Sequence, residues 1–418
     1  MEVLQLINNI LFGLFIALSA YQVVYFIVSF FVKEKKFPEG EKHRFAVLIS
    51  ARNEEKVIGR LVESVKKQDY PSELVDVYVV ADNCTDDTAG AAAAAGAIVH
   101  RRFSETEKGK GYALHYLLDL IFADKGNEYY DGFFVMDADN LMKEDFITEM
   151  NKVFSAGYKI VNGYRAPKNF SDGWVASSSA LWFLHECRHL NKPRMVLGTG
   201  CTVTGTGFLM HRDIINKNGG WHHFLISEDT ELTAESFLDG EKTGYCGSAI
   251  FYDEQPVKIR QSIRQRMRWT KGYLQVFQKY GGRLVRGWFK KGGFARFDLC
   301  MCFLPAILYS MLTVVVNVIF IPLGLIMQDF TPLAALIYLA TALTGGVATF
   351  FAIGLITMIT EWGRIAASTW VKIRSLIVFP FMMLIVLPCS ALGAFQKAEW
   401  KPIEHTSTVS VDEIKKAH

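Results

Sequence analysis

Four stretches of this chain contain no Asp, Glu, Lys or Arg: residues 3–32, 299–328, 330–360 and 375–396. A helix needs about 20 apolar residues to cross the hydrocarbon core of a bilayer, and each run meets that length. Buried helices of soluble proteins rarely continue so far without a charge. The chain is therefore expected to carry one N-terminal and three C-terminal membrane segments. Between them lies a polar region, from about Lys33 to Asp298, which holds most of the charged residues. The first run is too long for a cleavable signal peptide, and the only charge ahead of it is Glu2, so it reads as an anchor.

Basic residues mark both ends of the polar region. Lys33, Lys35 and Lys36 follow the anchor, and Arg283, Arg286, Lys290, Lys291 and Arg296 precede the second run. By the positive-inside rule the polar region is expected in the cytoplasm, and the expected location is a plasma (inner) membrane of bacterial type. The stretch RLVRGWFKKGGFARF (283–297) mixes basic and aromatic residues as an interfacial helix does. The expected organisation is an anchor over 1–33, an α/β domain over 34–280, an interfacial helix over 281–298, three membrane segments over 299–397 and a polar tail over 398–418. Three crossings place that tail outside, whereas one interfacial segment keeps it on the side of the domain. The net charge of +3 gives no reason to expect a nucleic-acid partner. Seven irregularly spaced cysteines make neither a disulfide framework nor a CxxC site, which fits a reducing compartment.

Short apolar runs punctuate the polar region. RFAVLISA (44–51), LVDVYVVAD (74–82), AIVHR (97–101) and GFFVMDAD (132–139) read as strands. Two helices are expected between them. One spans residues 52–68, with Val57, Leu61, Val62 and Val65 on one stripe. The other is TDDTAGAAAAAG (85–96), with Thr85 as its N-cap. Strands alternating with helices make a parallel sheet with right-handed crossovers. Ligands bind such sheets at the carboxyl ends of the strands. SARNEE, ADNCTDD and MDAD all sit there, so three polar clusters are expected to meet in one crevice.

Asp137 and Asp139 leave a strand together and can approach one divalent cation. Hard carboxylates suit Mg2+ or Mn2+, which also bind substrate phosphates. Asp82 and Asn83 suit a nucleobase or ribose, and Lys108 and Lys110 in EKGKGYAL suit a diphosphate. Glu228 and Asp229 open a helix. They read either as a site for a general base or as an acid pair favoured by the helix dipole. In RQSIRQRMRWTKGYLQ (260–275), Arg264, Arg268 and Lys271 share a helical neighbourhood with Trp269. Arginine grips phosphate bidentately and tryptophan stacks on sugars. A basic helix lying on anionic lipid is the competing reading.

Seven short motifs run in one order: NEE (53–55), DNCTDD (82–87), KGKG (108–111), DAD (137–139), GTG (205–207), SED (227–229) and QRMRW (265–269). In this the chain resembles membrane-integrated, inverting family 2 glycosyltransferases, which include cellulose, chitin, hyaluronan and poly-N-acetylglucosamine synthases. The resemblance implies an α/β GT-A domain, Rossmann-like and nucleotide-sugar-binding, inserted between transmembrane helices. It implies that Glu54 and Asp82 hold the uridine of a UDP-sugar, with Lys108 near the nucleotide. Asp137 and Asp139 would organise nucleotide and metal, Asp139 as the direct ligand. Asp229 would be the general base. Gln265, Arg268 and Trp269 would close over diphosphate and acceptor, with Glu228 and Trp182 on the acceptor side.

QRMRW favours processive synthesis of a β-linked polysaccharide coupled to export, with Pro305, Pro322, Pro380 and Pro388 kinking the helices of a conduit. A homo-oligomer or an accessory export partner fits that reading. The alternative is addition of one sugar to a lipid acceptor. HECRH (185–189) also matches the HExxH pattern of zinc peptidases. Asn191-Lys192-Pro193 is expected to end that helix, and no metzincin continuation follows. The match reads as a coincidence on a helix from Gly173 to Asn191, where Trp182 and His185 line the acceptor path.

Overall fold

The computed structural model describes residues 2–395, 405 and 407–416. Residues 398–404, 406, 417 and 418 of the expected polar tail lie outside the described residues. The N-terminal apolar run forms two helices rather than one anchor, α1 (Glu2–Ser19) and α2 (Gln22–Phe31). α1 is long enough to cross a membrane and α2 is not. The chain breaks where polar partners wait. The Tyr21 and Tyr25 hydroxyls donate to the Asp298 carboxylate at 2.7 and 2.8 Å. Arg194 Nε pairs with the same carboxylate at 2.7 Å, both side chains 1% exposed.

β1 (Phe45–Ala51), α3 (Ile58–Lys66), β2 (Val75–Asp82), α4 (Thr88–Ala94), β3 (Ile98–Arg102), α5 (Lys110–Lys125) and β4 (Gly132–Asp137) follow in order. β1 pairs parallel with β2 on one side and β4 on the other. Its side chains alternate between two layers. Phe45, Val47 and Ile49 pack with Leu61 and Val62 of α3, whereas Ala46 and Leu48 pack with Leu114 and Leu117 of α5. A strand covered on both faces has no polar side, which is why β1 reads as a continuous apolar run. Each large side chain so buried contributes about 1.5–3 kcal/mol. The cap of α4 is Asp87, not Thr85: the Asp87 carboxylate accepts the Gly90 N–H at 3.2 Å. Thr85 instead donates its N–H to the Asn53 side chain at 2.8 Å.

The sheet is mixed, not wholly parallel. β5 (Leu141–Met142), α6 (Phe146–Ser155) and β6 (Ile160–Pro167) come next. α7 (Trp174–His185) runs through a π-helical turn (Glu186–Asn191) into α8 (Lys192–Leu197). Pro193 therefore does not end the helix. It sits in the first turn of α8, where a missing N–H leaves no bond unmade. β7 (Phe208–His211), α9 (Arg212–Asn216), α10 (Glu228–Asp239) and β8 (Thr243–Asp253) complete the domain. Among the described residues the sheet has eight strands, ordered β3-β2-β1-β4-β7-β6-β8-β5. β7 is antiparallel to both β4 and β6, and β5 is antiparallel to β8.

α11 (Ile259–Arg286) and α12 (Gly293–Ile326) divide the stretch 281–298 between them, so it is not a separate interfacial helix. The turn at Gly287–Gly292 is held by Arg296, which donates to the Gly287 carbonyl at 3.0 Å. α13 (Pro332–Glu361) and α14 (Thr369–Phe395) follow. α12, α13 and α14 are all long and apolar enough to cross a membrane. α14 nevertheless leans on α7 and α11 of the domain as well as on α13. Lys271 of α11 donates to the Ala394 carbonyl at its far end, at 3.3 Å. Beyond it the chain returns to the domain. α15 (Val411–Lys416) buries Ile414 there and pairs Lys415 with Glu144. The described part of the tail thus packs against the domain.

Candidate active site

The three clusters at the strand ends meet. Glu54 follows β1, Asp82 ends β2, and Asp137 and Asp139 follow β4. All four line one cavity of about 1720 Å³. Two asparagines turn the chain there with left-handed backbone, Asn53 at φ 59° and Asn83 at φ 52°. Asparagine tolerates that region better than most residues. Both amides are spent on the turns: Asn53 accepts from Thr85, and Asn83 accepts the Ser104 N–H at 3.0 Å. Asn83 is therefore a turn residue before it is a ligand.

Charges at this end come in pairs. Arg102 Nη1 donates to Asp82 Oδ1 at 2.8 Å, both side chains 6% exposed. Lys110 Nζ donates to Asp137 Oδ1 at 2.5 Å and to the Gly205 carbonyl at 2.8 Å. Lys110, not Lys108, is thus the lysine that meets the aspartate motif, while Lys108 lines the same cavity. Arg165 grips Asp253 Oδ2 through Nε and Nη2 at 2.9 and 2.7 Å. Asn140 ties Asp253 to the loop that carries Asp139. Gly207 must be glycine: its φ is +69°, and a Cβ would lie 2.1 Å from the Phe251 ring.

His405, from the C-terminal tail, reaches this end. Its Nδ1 is 3.4 Å from Asp139 Oδ2 and its Nε2 is 3.7 Å from Glu54 Oε1. Burial opposes its charge, but Asp139, Glu54 and Glu254 outweigh burial and raise its pKa. Burial also pushes Glu54 up to about 8, with Asp139, Asp137 and Glu254 adding to it against His405. Asp139 is raised by burial first and by Asp253 and Asp137 next. Carboxylates crowded into a buried end favour a cation among them. Among the described residues no three of His, Cys, Asp or Glu form a complete cage. Asp137 and Asp139 instead offer the oxygen donors that Mg2+ or Mn2+ takes beside substrate phosphates. The donor set fits such an ion.

The opposite wall holds Glu228 and Asp229 at the start of α10, with Gln265, Arg268 and Trp269 on α11. α11 comes this close because Gly272 has no side chain; a Cβ there would sit 2.0 Å from Ser227 Oγ. Glu228 lies 3.9 Å from Lys110. Burial raises Asp229, the backbone and Lys110 pull it down, and the balance stays upward. Burial lowers Arg268, against Glu228, Asp137 and Asp229, which face it. Trp269 meets Phe183 edge-on at 6.1 Å, and Arg165 caps that ring at 3.7 Å. Trp182, His185 and Glu186 continue the wall toward the membrane helices.

HECRH is not a zinc site. His189 Nδ1 is 2.7 Å from Ser29 Oγ of α2, and its Nε2 is 3.2 Å from Thr360 of α13. Its ring stacks on Phe26 at 4.9 Å. Burial lowers His185 to about 4 and His189 to about 3, so both are neutral clamps between α7, α2 and α13. Trp182 and His185 do line the cavity.

Sequence reasoning passed over Asp253 and Glu254, although AIFYDE (249–254) repeats the pattern of an apolar strand ending in acids. It also passed over Arg102, Arg165, Glu186 and His405. Nothing local to His405 marks it, because the fold alone brings the tail back.

Comparison with known proteins agrees with this geometry. The family model described as "Glycosyltransferase like family 2" matches residues 43–272. The probable glycosyltransferase YdaM of Bacillus subtilis is 27% identical over 312 residues, 67% of this chain and 66% of that protein. A beta-monoglucosyldiacylglycerol synthase of Synechocystis is 26% identical over 269 residues, 62% of this chain and 54% of that one. A poly-beta-1,6-N-acetyl-D-glucosamine synthase of Staphylococcus epidermidis is 22% identical over 271 residues, 62% and 64% respectively. The chain thus spans between about half and two thirds of these relatives. Among solved structures, the mannosyltransferase PcManGT of Pyrobaculum calidifontis, in complex with GDP-Man and Mn2+, superposes with a TM-score of 0.60. It is 14% identical, over 93% of this chain and 98% of that one, and so shares the fold. With a GT-A-like mixed α/β sheet, its carboxylates gathered at the strand ends and over half its length matched, the chain belongs to glycosyltransferase-like family 2.

Proposed function

We propose that this protein transfers a sugar from a UDP-sugar to a hydroxyl presented by a membrane lipid, inverting the anomeric centre. One observation carries the lipid reading: the cavity does not end at the domain. It continues from Asp229 past Trp182 and His185 to Phe12 of α1, Val314 of α12 and Leu339 of α13. α1 packs on α12, and α14 packs on both α12 and α13. On the proposed reading the space between these helices admits the acceptor from the bilayer. Two hydroxyls along it bond their own helix, Thr341 to the Ile337 carbonyl and Thr349 to the Gly345 carbonyl, both at 2.9 Å, whereas the Thr313 hydroxyl has no partner among the described residues. The apolar side chains of Phe12, Val314 and Leu339 suit an acyl or prenyl chain.

In this mechanism Glu54 and Asp82 hold the nucleoside, while Lys108 and Arg268 face the diphosphate. A divalent ion held by Asp137 and Asp139 would neutralise charge on the departing UDP. Asp229 accepts the proton of the acceptor hydroxyl as it attacks, which a raised carboxylate pKa suits. Lys110 fixes Asp137 and keeps Glu228 and Asp229 from losing their charge together. Trp269 and Gln265 shape the place where the acceptor stops.

Polymer synthesis remains the second reading, supported by Trp269 standing on the cavity wall. The deciding experiment supplies radiolabelled UDP-sugars to the purified protein in nanodiscs. Label that migrates as a single glycolipid supports the proposal, and label in long carbohydrate chains overturns it. The same assay ranks Mg2+ against Mn2+. Placement of the domain on the cytoplasmic face is part of this proposal, and protease protection of right-side-out vesicles tests it.

A further inference from the structure

Arg266 stands two residues before Arg268 on α11 and lines the same cavity. Each residue of a helix turns the chain by about 100°, so the two side chains leave α11 on nearly opposite sides. Arg268 faces Glu228, Asp137 and Asp229. None of those carboxylates acts on Arg266; Cys389 of α14 and Tyr273 do. Arg266 Nη2 donates to the Ser179 hydroxyl of α7 at 3.3 Å, and its guanidinium lies 5.9 Å from the centre of the Trp269 ring. The cation thus occupies the corner where α14 packs on both α7 and α11. No step of the transfer uses it.

Arg266 is 8% exposed, its Nε has no hydrogen-bond partner, and among the described residues no carboxylate pairs with it. Buried charges are ordinarily paired. Arg102 and Arg194 follow that rule, with Asp82 and Asp298. Burial lowers Arg266 to about 10, and Cys389 and Tyr273 offset that only in part. One hydroxyl and one ring face leave this guanidinium short of an anion, and the cavity is the way in for one. Arginine grips phosphate bidentately. The diphosphate of the donor is not that anion, because it belongs on the side of Arg268, with Asp137. Nor does Glu186 stand against it: Arg194, Arg165 and Asp229 act on Glu186, and Arg266 does not. Tyr273, seven residues along α11, feels both Arg266 and Asp229. It lies between the unpaired cation and the proposed base, so a ligand held at Arg266 extends toward Asp229.

We infer that Arg266 is an acceptor-binding residue that grips a phosphate ester in the headgroup of the lipid, so that the acceptor carries an anionic phosphate as well as the hydroxyl that reacts. The inference rests on the lipid reading proposed above and narrows it to one headgroup class. The reaction itself is unchanged: the hydroxyl oxygen bonds the anomeric carbon, UDP departs, and the proton goes to Asp229. The phosphate stays whole and serves as a handle. Loss of Arg266 is expected to act on acceptor KM and on acceptor choice, with less effect on kcat and none on UDP binding.

The test uses the full chain in phosphatidylcholine nanodiscs with radiolabelled UDP-sugar. One arm offers phosphatidylglycerol, which has hydroxyls and a phosphodiester, and the other diacylglycerol, which has a hydroxyl and no phosphate. The wild type is expected to prefer phosphatidylglycerol at least tenfold in kcat/KM. R266Q is expected to raise the KM for phosphatidylglycerol about tenfold, the worth of a hydrogen bond to a charged group, and to leave transfer to diacylglycerol nearly as it was. Arg266→Lys keeps the charge and is expected to restore part of the preference. UDP affinity, read by calorimetry, is expected to stay the same in all three proteins. A wild type that does not favour phosphatidylglycerol overturns the inference with no variant required, so a poorly folding R266Q does not shelter it. An R266Q protein with unchanged KM and unchanged preference also overturns it. So does diacylglycerol transfer raised to the phosphatidylglycerol level by inorganic phosphate, which would give the place at Arg266 to a free anion. Long carbohydrate chains with no lipid product in either arm would instead remove the lipid reading itself.

Discussion

The two ends of the cavity are built by opposite rules. At the donor end nearly every charge has a fixed partner: Arg102 with Asp82, Lys110 with Asp137, Arg165 with Asp253. At the acceptor end Glu186 has no hydrogen-bond or ion-pair partner among the described residues, and neither has Arg268, which stands between the two ends. A nucleoside diphosphate presents the same groups at every turnover, so its end can be rigid and paired in advance. On the proposed reading the acceptor arrives through lipid, and the groups that greet it are kept in reserve. Pairing marks the part of the site that is scaffold as well as site.

The strongest break of this comparison is at the base. Asp229→Asn is expected to lower kcat by about 10²–10⁴ while UDP binding, read by calorimetry, stays intact; retained turnover would show that the base lies elsewhere. Next is Arg102→Ala, which leaves Asp82 buried without its cation. Breaking such a pair costs about 3–5 kcal/mol, so thermal unfolding is expected to come markedly earlier, whereas removing the unpaired charge of Glu186 should leave it nearly unmoved. Chelation with EDTA, or Asp139→Asn, is expected to reduce transfer by about 100-fold or more, several kcal/mol of charge stabilisation. Added Mg2+ or Mn2+ rescues the chelated wild type and not the variant.

The smallest effect is a pH shift. As the proposed base, Asp229 would work only deprotonated, and its pKa is raised by burial, so the acid limb of the kcat profile should lie above the ordinary aspartate value of about 3.9. Lys110 pulls that pKa down. Lys110→Met is therefore expected to move the limb to higher pH, and a limb that stays in place would detach Lys110 from Asp229.

The same division decides how much was legible in the sequence. The donor half declares itself because β1, β2 and β4 are buried on both faces and end in acids, a pattern that survives without context. The neighbouring strands do not: β6 contains Gly163 and Arg165, and β7 has only four residues, so the sheet reads as parallel when it is mixed. Pro193 carries a stop signal that the π-helical turn cancels, and no local rule announces a π turn. α14 has the composition of a membrane span, and only its contacts with α7 and α11 draw it along the domain. His405 lies about 350 residues beyond Glu54 in the chain, a distance that hydrophobic periodicity cannot bridge.

The π-helical turn has one more consequence. It amounts to a single surplus residue between α7 and α8, and each residue of a regular helix turns the chain by about 100°. Deleting one residue there restores an ordinary helix and swings a different side chain into the cleft, leaving Asp137, Asp139 and Asp229 where they are. In this chain, such a deletion would therefore alter the wall of the cleft without touching the carboxylates at the strand ends.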